Sequence, residues 1–441
     1  MTAKKIGVLG CGMIAELGHL PAIQYTNGLS LHGVFDINWE RSLAMQKQFG
    51  AAHAYPTEEA FWKSDLDAVV ICTPAPLHKE HVLKAAQHGK HVLCEKPLAT
   101  NAEDILAMKV AMEQADRMLF TGFTYRFSPS AVERHRFIRE GAIGEVRSLR
   151  LVYLWNLHGK WRWDDKGKMI PSSLRVGRML EGGPMVDCGV HQIDLARWWL
   201  GSEVVWQRGI GVWVEDFDAP DHVYLHMGHQ CGAHTMVEMS FSYNATSKEP
   251  RSHFQYELIG TDGVIRYNRE ERSMELRNSH GIRYMHWHGE KSFGGMYAEF
   301  AHALFTGDSR NMPTAADGLA ATIISQAATR QAMEDRDGPS QRTPQRCNAR
   351  RPQRSSRTNL CRWTISNLMM NWLLRQLGVN CRRRLCEIRK CVMNRSDTTL
   401  QHKEHHGQRP VNVIRRHRHN SGRRGRTDEG CCKKDGGDSR R

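Results

Sequence analysis

Asp187, His191 and Asp194 stand i, i+4 and i+7 apart within an otherwise apolar run, Met185–Leu200. At about 100° per residue, that spacing puts all three on one narrow stripe of a helix. A polar stripe on a buried helix needs partners, because unpaired buried carboxylates are costly. Two readings fit. A histidine with a carboxylate beside it is an acid–base pair for substrate chemistry, since imidazole titrates near neutrality and the carboxylate fixes its tautomer. The same three residues also suit a self-satisfied network that holds the structure together. Lys96, within Glu95-Lys96-Pro97, is a second candidate. It can hydrogen-bond a substrate oxygen and, with a lowered pKa, exchange a proton with it. Taken alone, it reads equally as a surface lysine in a Pro-led turn.

A cofactor motif opens the chain. Gly10-Cys11-Gly12-Met13-Ile14-Ala15 is G-x-G-x-x-A after a short apolar strand run and before a helix. Gly10 permits the turn, Gly12 admits a pyrophosphate to the backbone, and Ala15 keeps helix and sheet close. Met13 and Ile14 belong to the first helical turn, whose unpaired N–H groups attract phosphate. Asp36 follows about 20 residues later, where a carboxylate would bind ribose hydroxyls and repel a 2′-phosphate. NAD is therefore the expected cofactor, with Arg41 leaving NADP open. Cys72-Thr73-Pro74 with His78, and Glu95-Lys96, end two further strand runs. The carboxyl ends of parallel strands face the ligand, so both segments belong on the nicotinamide side.

The elements that must position these residues read in two blocks. Ile6–Gly10, Leu29–Asp36, Ala68–Cys72, His91–Cys94 and Met118–Gly122 are strand runs separated by helical segments such as Trp39–Phe49 and His78–His88. Thr100 and Glu103 have capping-box spacing before another helix. Alternation of this kind predicts a doubly wound parallel sheet over residues 1–122. From 123 to 336 the period changes. Thr235, Val237, Met239, Phe241 and Tyr243 alternate with polar neighbours, and Phe254, Tyr256 and Leu258 do the same. The turn Gly260–Gly263 leads into Val264–Tyr267 as a hairpin. An α+β domain with a large open, mainly antiparallel sheet is expected there.

The net charge of +15 divides unevenly: residues 341–441 carry 22 Arg, 4 Lys and 7 acidic residues, leaving −4 for residues 1–340. A uniformly basic, nucleic-acid-coating protein is excluded. Seven of the 12 cysteines also crowd this tail, with Cys381, Cys386 and Cys391 at a spacing that fits no standard zinc site. Two readings of residues 337–441 stand: an out-of-frame, disordered sequence, which is preferred, or a basic arm for nucleic acid. The other five cysteines lack a disulfide-framework spacing, and no run approaches the ~18 apolar residues of a membrane span. A soluble, cytoplasmic chain is the expectation. His226, His229, Cys231 and His234 resemble a ligand cluster, but strand alternation sends neighbours to opposite faces, so no metal is expected. Trp155, His158, Trp161 and Trp163 suit a sugar face, or equally core packing or a subunit contact. Tyr125-Arg126 could border a substrate, and a structural arginine is the equal alternative.

In combination, the G-x-G-x-x-A turn, Cys72-Thr73-Pro74 with His78, Gly89–Pro97 and the Gly-Gly-x-x-x-Asp-x-Gly-x-His-x-x-Asp run from Gly182 to Asp194 resemble the Gfo/Idh/MocA oxidoreductase family. The resemblance spans roughly residues 3–335. It implies a Rossmann domain followed by a domain whose open sheet forms a homodimer or homotetramer interface. It implies NAD(P)-dependent hydride transfer to or from a sugar or polyol hydroxyl carbon. Lys96 matches the family's catalytic lysine, Asp187 and His191 its substrate-binding and acid–base pair, and Asp194 a less uniform position. The peptide before Pro97 is often cis in this family. A non-catalytic NAD-binding regulator using the basic tail on nucleic acid is the rival function; the complete Lys96/Asp187/His191 set disfavours it.

Overall fold

A computed structural model describes residues 2–155, 161–171, 176–244, 246–249 and 251–337. The readings of His158 and of the tail beyond Asp337 lie outside the described residues. The first sheet comprises β1 (Lys4–Leu9), β2 (Leu29–Phe35), β3 (His53–Ala54), β4 (Ala68–Ile71), β5 (His91–Cys94) and β6 (Leu119–Thr121). Its order is β3-β2-β1-β4-β5-β6, and every pairing is parallel. The four residues of β4 are all buried, as expected for a strand covered on both faces.

Helices alternate with these strands. Ala15–His19 winds as a π-turn into α1 (Leu20–Tyr25), and α2 (Trp39–Phe49), α3 (Glu58–Trp62), α4 (His78–Gln87) and α5 (Ala102–Gln114) follow. The expected cap of α5 is displaced by one residue. Asn101, not Thr100, is the N-cap, its side chain accepting from the Asp104 N–H at 2.8 Å and donating to the Asp104 carboxylate at 2.7 Å. The spacing is the same, but an amide donates as well as accepts, so Asn101 closes both bonds with one side chain.

After α6 (Pro129–Arg139) the second sheet begins with β7 (Val146–Leu154). A small ribbon, β8 (Trp161–Trp163) and β9 (Met169–Pro171), and α7 (Val176–Leu180) precede α8 (Val190–Leu200). The sheet then continues through β10 (Val204–Val212), β11 (His222–His229), β12 (His234–Ser240), β13 (His253–Gly260), β14 (Gly263–Asn268), β15 (Ser273–Asn278) and β16 (Gly281–Tyr284). Its order is β10-β11-β12-β7-β13-β14-β15-β16; only the β12–β7 pairing is parallel. Residues 235, 237 and 239 of β12 and 254, 256 and 258 of β13 face the core, where α8 packs with Val190, Ile193, Leu195 and Trp199. The opposite face carries register-matched charges: Arg150, Glu257, Arg266 and Glu275 stand opposite one another across four strands.

Two of the polar neighbours in this alternating run are not on an open face. Ser240 and Ser242 are buried within the chain. The connection from β10 to β11 folds over them, its Asp221 carboxylate taking the Val214 and Glu215 N–H groups while Ser242 bonds Glu215 at 3.1 Å.

The chain closes with α9 (Phe293–Thr306) and α10 (Ala315–Asp337). Met296, Tyr297, Phe300, Ala303 and Leu304 of α9 pack into the core of the first sheet with Ile6, Val8 and Leu93. Residues late in the sequence thus support the strand ends that carry the cofactor motif.

Candidate active site

The glycine turn has the two properties that a dinucleotide site requires. Gly10 has φ +89°, and a Cβ there would stand 2.9 Å from the Thr73 backbone nitrogen. Only glycine combines that conformation with that approach. At Gly12 a Cβ would meet nothing within 4 Å. The space beside it is open, and a ligand can reach the backbone at the start of the helix. Ala15 is fully buried against the sheet, as its place in the motif requires. Met13 is mostly exposed and Ile14 half-buried.

Asp36, at the tip of β2, accepts the Cys11 N–H at 2.7 Å and the Asn38 N–H at 2.9 Å. It therefore organises the turn and presents negative charge beside it. Arg41 is already committed, donating to the Cys11 carbonyl at 2.7 Å and to Glu16 at 2.6 Å. These residues fit a dinucleotide with free ribose hydroxyls: an open cradle at Gly12, a helix N-terminus, and an acid where a 2′-phosphate would have to sit.

His78 lies between the two segments expected on the nicotinamide side. It is buried and bridges the Thr73 carbonyl at 2.7 Å and the Pro97 carbonyl at 3.1 Å. It thereby locks Cys72-Thr73-Pro74 to Glu95-Lys96-Pro97, whose Lys96–Pro97 peptide is cis. Thr73 is further held by His81 at 3.0 Å.

The Asp–His helix departs from a single stripe. Met185–Gly189 is a π-turn, and α8 proper begins only at Val190. The wider turn rotates Asp187 relative to His191, so the three polar residues reach different partners. Asp187 accepts from Lys96 Nζ at 3.0 Å, and its carbonyl accepts from the same nitrogen at 2.9 Å. Arg178 stands 3.8 Å from the same carboxylate. His191 is clamped by rings instead, stacked on Tyr125 at 4.1 Å and 3°, with the Phe123 ring at 5.8 Å. Its Nδ1 is buried without a hydrogen-bond partner. The Tyr125 ring fixes the plane of the imidazole, and the Asp187 charge acts on it from nearby.

Charge follows from these contacts. Burial works against the Lys96 ammonium, but Asp187, Cys188 and Glu95 outweigh it and hold its pKa above the ordinary lysine value. A lowered lysine pKa is not what the structure supports; Lys96 is a cationic hydrogen-bond donor. Burial pushes His191 well below the ordinary histidine value, and the nearby charges of Lys96 and Lys291 push in the same direction. The imidazole is neutral at neutral pH and able to accept a proton.

Arg126 and Asp194 form a separate unit. Arg126 donates twice to Asp194, at 2.7 and 2.5 Å, and pairs with Asp317 at 3.0 Å; Arg197 reaches Asp317 at 3.1 Å. All of this is buried or nearly so, and it ties the segment after β6 to α8 and α10. Trp163 donates to the Thr246 carbonyl at 3.3 Å, with Lys248 over its face, and Trp155 stacks on Tyr153. His226 and His234 touch at 3.2 Å, whereas His229 bonds Thr235 and Cys231 is exposed. Among the described residues, no group of three or more His, Cys, Asp or Glu is placed to hold a metal. No described helix is long and apolar enough to cross a membrane.

Two buried residues at the site were not singled out from the sequence, His19 and Tyr297. His19 Nε2 meets Glu95 at 2.9 Å and its Nδ1 meets the Tyr297 hydroxyl at 2.8 Å. The only local signal was a histidine in the helix that the glycine motif opens.

A parallel sheet with a glycine turn at its first strand, joined to an open sheet that carries an Asp–His helix, defines a two-sheet dinucleotide-dependent oxidoreductase fold. Residues 4–123 match the oxidoreductase family GFO/IDH/MocA, NAD-binding Rossmann fold, and residues 133–266 match the family's C-terminal domain. The chain belongs to this family, and NAD is the cofactor of its first domain. It is 30% identical over 201 residues to a myo-inositol 2-dehydrogenase of Thermotoga maritima, covering 45% of this chain and 56% of that one. It is 27% identical over 339 residues to an inositol 2-dehydrogenase of Acidothermus cellulolyticus, covering 75% and 93%. A glucose-6-phosphate 3-dehydrogenase of Bacillus subtilis is 30% identical over 200 residues, covering 45% and 53%. The chain thus spans about half the length of several curated relatives that it matches. The crystal structure of a probable dehydrogenase from Thermotoga maritima superposes with a TM-score of 0.62 at 25% identity, covering 75% and 97% of the two chains.

Proposed function

We propose that this chain oxidises a secondary hydroxyl of a sugar or polyol, or reduces the corresponding ketone, using Lys96, Asp187 and His191 as one chemical unit. The observation that carries the reading is the Lys96–Asp187 pair, at 3.0 Å, beside a neutral imidazole whose Nδ1 has no partner. The Lys96 ammonium hydrogen-bonds the reacting oxygen and stabilises the negative charge that grows there. Neutral His191 removes the hydroxyl proton. The stack on Tyr125 fixes the plane of the imidazole, and the Asp187 charge favours the imidazolium that results. Bound NAD supplies the acceptor for the hydride leaving the carbon. In the reducing direction His191 returns the proton to the oxygen.

Inositol-like polyols are the favoured substrates, on the names of the relatives. A homodimer or homotetramer through the charged face of the second sheet, and a cytoplasmic place of work, belong to the same proposal. The test is NADH formation across a panel of inositols, aldoses and phosphorylated sugars, with NADP in parallel. Turnover of at least one cyclic polyol or sugar with NAD supports the reading; NAD binding without turnover of any member overturns it. Light scattering that showed only monomer at micromolar concentration would remove the assembly.

A further inference from the structure

Glu95 lies one residue before the reacting lysine, is buried, and is held by groups from two distant parts of the chain. His19, fully buried at the end of the π-turn that follows the glycine motif, meets one carboxylate oxygen at 2.9 Å. The other oxygen accepts the Lys96 backbone N–H at 3.1 Å. On its far side His19 meets the Tyr297 hydroxyl of α9 at 2.8 Å. The helix of α9 presses close here: a Cβ at Gly18 would stand 2.4 Å from the Phe293 ring, which also packs edge-on against His19.

The hydrogen-bond directions follow from chemistry. Burial raises Glu95, but the His19 hydrogen bond and the charges of His19 and Lys96 overcome it, so the carboxyl stays below the usual range. An ionised carboxylate only accepts, so His19 Nε2 carries the proton toward it. Nδ1 then faces, at 2.8 Å, the hydroxyl of Tyr297, whose phenol is kept protonated by burial. Every member is satisfied: the Tyr297 hydroxyl against His19 Nδ1, His19 N–H to Glu95, Lys96 N–H to Glu95. Buried polar chains of this kind fix geometry when complete and are costly when broken.

We propose that His19 is a positioning residue, which with Tyr297 holds Glu95, and through it Lys96, in the place from which the ammonium meets the substrate oxygen. The inference rests on the proposed role of Lys96. It gives α9 a function beyond packing, because this late helix supplies the hydroxyl that orients a residue of the cofactor helix. The groups facing Glu95 are His19, Lys96, His78, Tyr297, Cys72 and Cys94. Those facing Lys96 are Asp187, Cys188, Glu95, Arg178 and His191. Glu95 is the member of the second set whose placement depends on His19.

The experiment reads Lys96 itself, by competitive acetylation of the whole chain across pH with quantitation of the Lys96 peptide. In His19→Leu the Glu95 carboxylate loses its side-chain donor and is no longer fixed, so Lys96 leaves its place at Asp187, titrates at lower pH and labels faster than wild type. His19→Gln, whose amide N–H can reach the carboxylate, restores most of the wild-type profile. Tyr297→Phe moves it less, in the same direction, and carries the test if His19→Leu fails to fold. Where a turnover assay exists, His19→Leu lowers kcat about 10–100-fold, as removal of an outer orienting partner does, with KM and NAD affinity unchanged. An unchanged Lys96 labelling profile in folded His19→Leu, or in Tyr297→Phe where that variant carries the test, overturns the proposal. The labelling needs no substrate, so a wild type without polyol turnover would refute the functional reading and still leave this result decisive.

Discussion

Exchanging each motif glycine for alanine should separate cofactor binding from folding. Gly12 has room for a Cβ, with nothing within 4 Å, and its backbone needs no positive φ. Gly12→Ala should therefore leave the apo protein as stable as wild type, or raise its stability by up to about 1 kcal/mol through the unfolded chain. The methyl would stand where a pyrophosphate must approach. An overpacking penalty of about 1–3 kcal/mol applies there, which is about 5–150-fold in affinity at 1.4 kcal/mol per tenfold. Gly10→Ala is the opposite case. Its φ of +89° and the 2.9 Å approach to Thr73 fall on the protein itself. Left-handed backbone costs about 1–2 kcal/mol and the overlap about 1–3 kcal/mol, so this variant should melt earlier even without cofactor. Thermal melts of the apo variants, beside calorimetric titration with NAD, measure both quantities. A Gly12→Ala protein that binds NAD like wild type, or that is destabilised without it, would refute the reasoning.

Asp36→Ala should weaken NAD by about 10–100-fold, the range for a lost charge-assisted hydrogen bond, and narrow the preference over NADP; a wild type that already prefers NADP would show that Asp36 is misassigned. Asp194→Ala should destabilise the fold by about 3–5 kcal/mol, because it breaks a buried ion pair and leaves the Arg126 guanidinium to Asp317 alone, while the folded fraction keeps its NAD affinity in titrations. The pKa of His191 is depressed by burial and by Lys96 and Lys291, so the acid limb of kcat/KM should fall below the histidine value of 6.5 rather than at it. The same shift has a stability sign: below pH 6.5 the unfolded chain takes up a proton that folded His191 refuses, so acidification favours unfolding until the folded pKa is passed. Melting curves of wild type and His191→Asn from pH 7 downward should differ in this sense, and parallel curves would contradict it.

The parts of this structure that were legible in the sequence are those with local causes. The glycine turn, Asp36 and the strand runs of the first sheet are set by neighbours within a few residues. The alternation in β12 and β13 showed because each strand has one core face and one polar face. The last four residues of β7 are buried without alternation, and period two is lost there. The π-turn at Met185–Gly189 was hidden because an extra residue in one helical turn changes no residue type, yet it sends Asp187 to Lys96 and leaves His191 to Tyr125. The protonation state of Lys96 was equally illegible: it is set by Asp187, 91 positions away. His19 and Glu95, 76 positions apart, meet only because two parallel-sheet loops and α9 converge.

The most direct test of the Lys96–Asp187–His191 unit is turnover by His191→Asn on whichever polyol the substrate panel identifies, measured on protein shown to be folded and saturated with NAD. If His191 accepts the hydroxyl proton, kcat drops about 10²–10⁴-fold while the melting temperature and NAD affinity stay near wild type. Lys96→Met should fall at least as far, and the double variant little further, since grouped residues do not add. Full turnover by folded, NAD-bound His191→Asn would contradict the assignment of this histidine as the acid–base group.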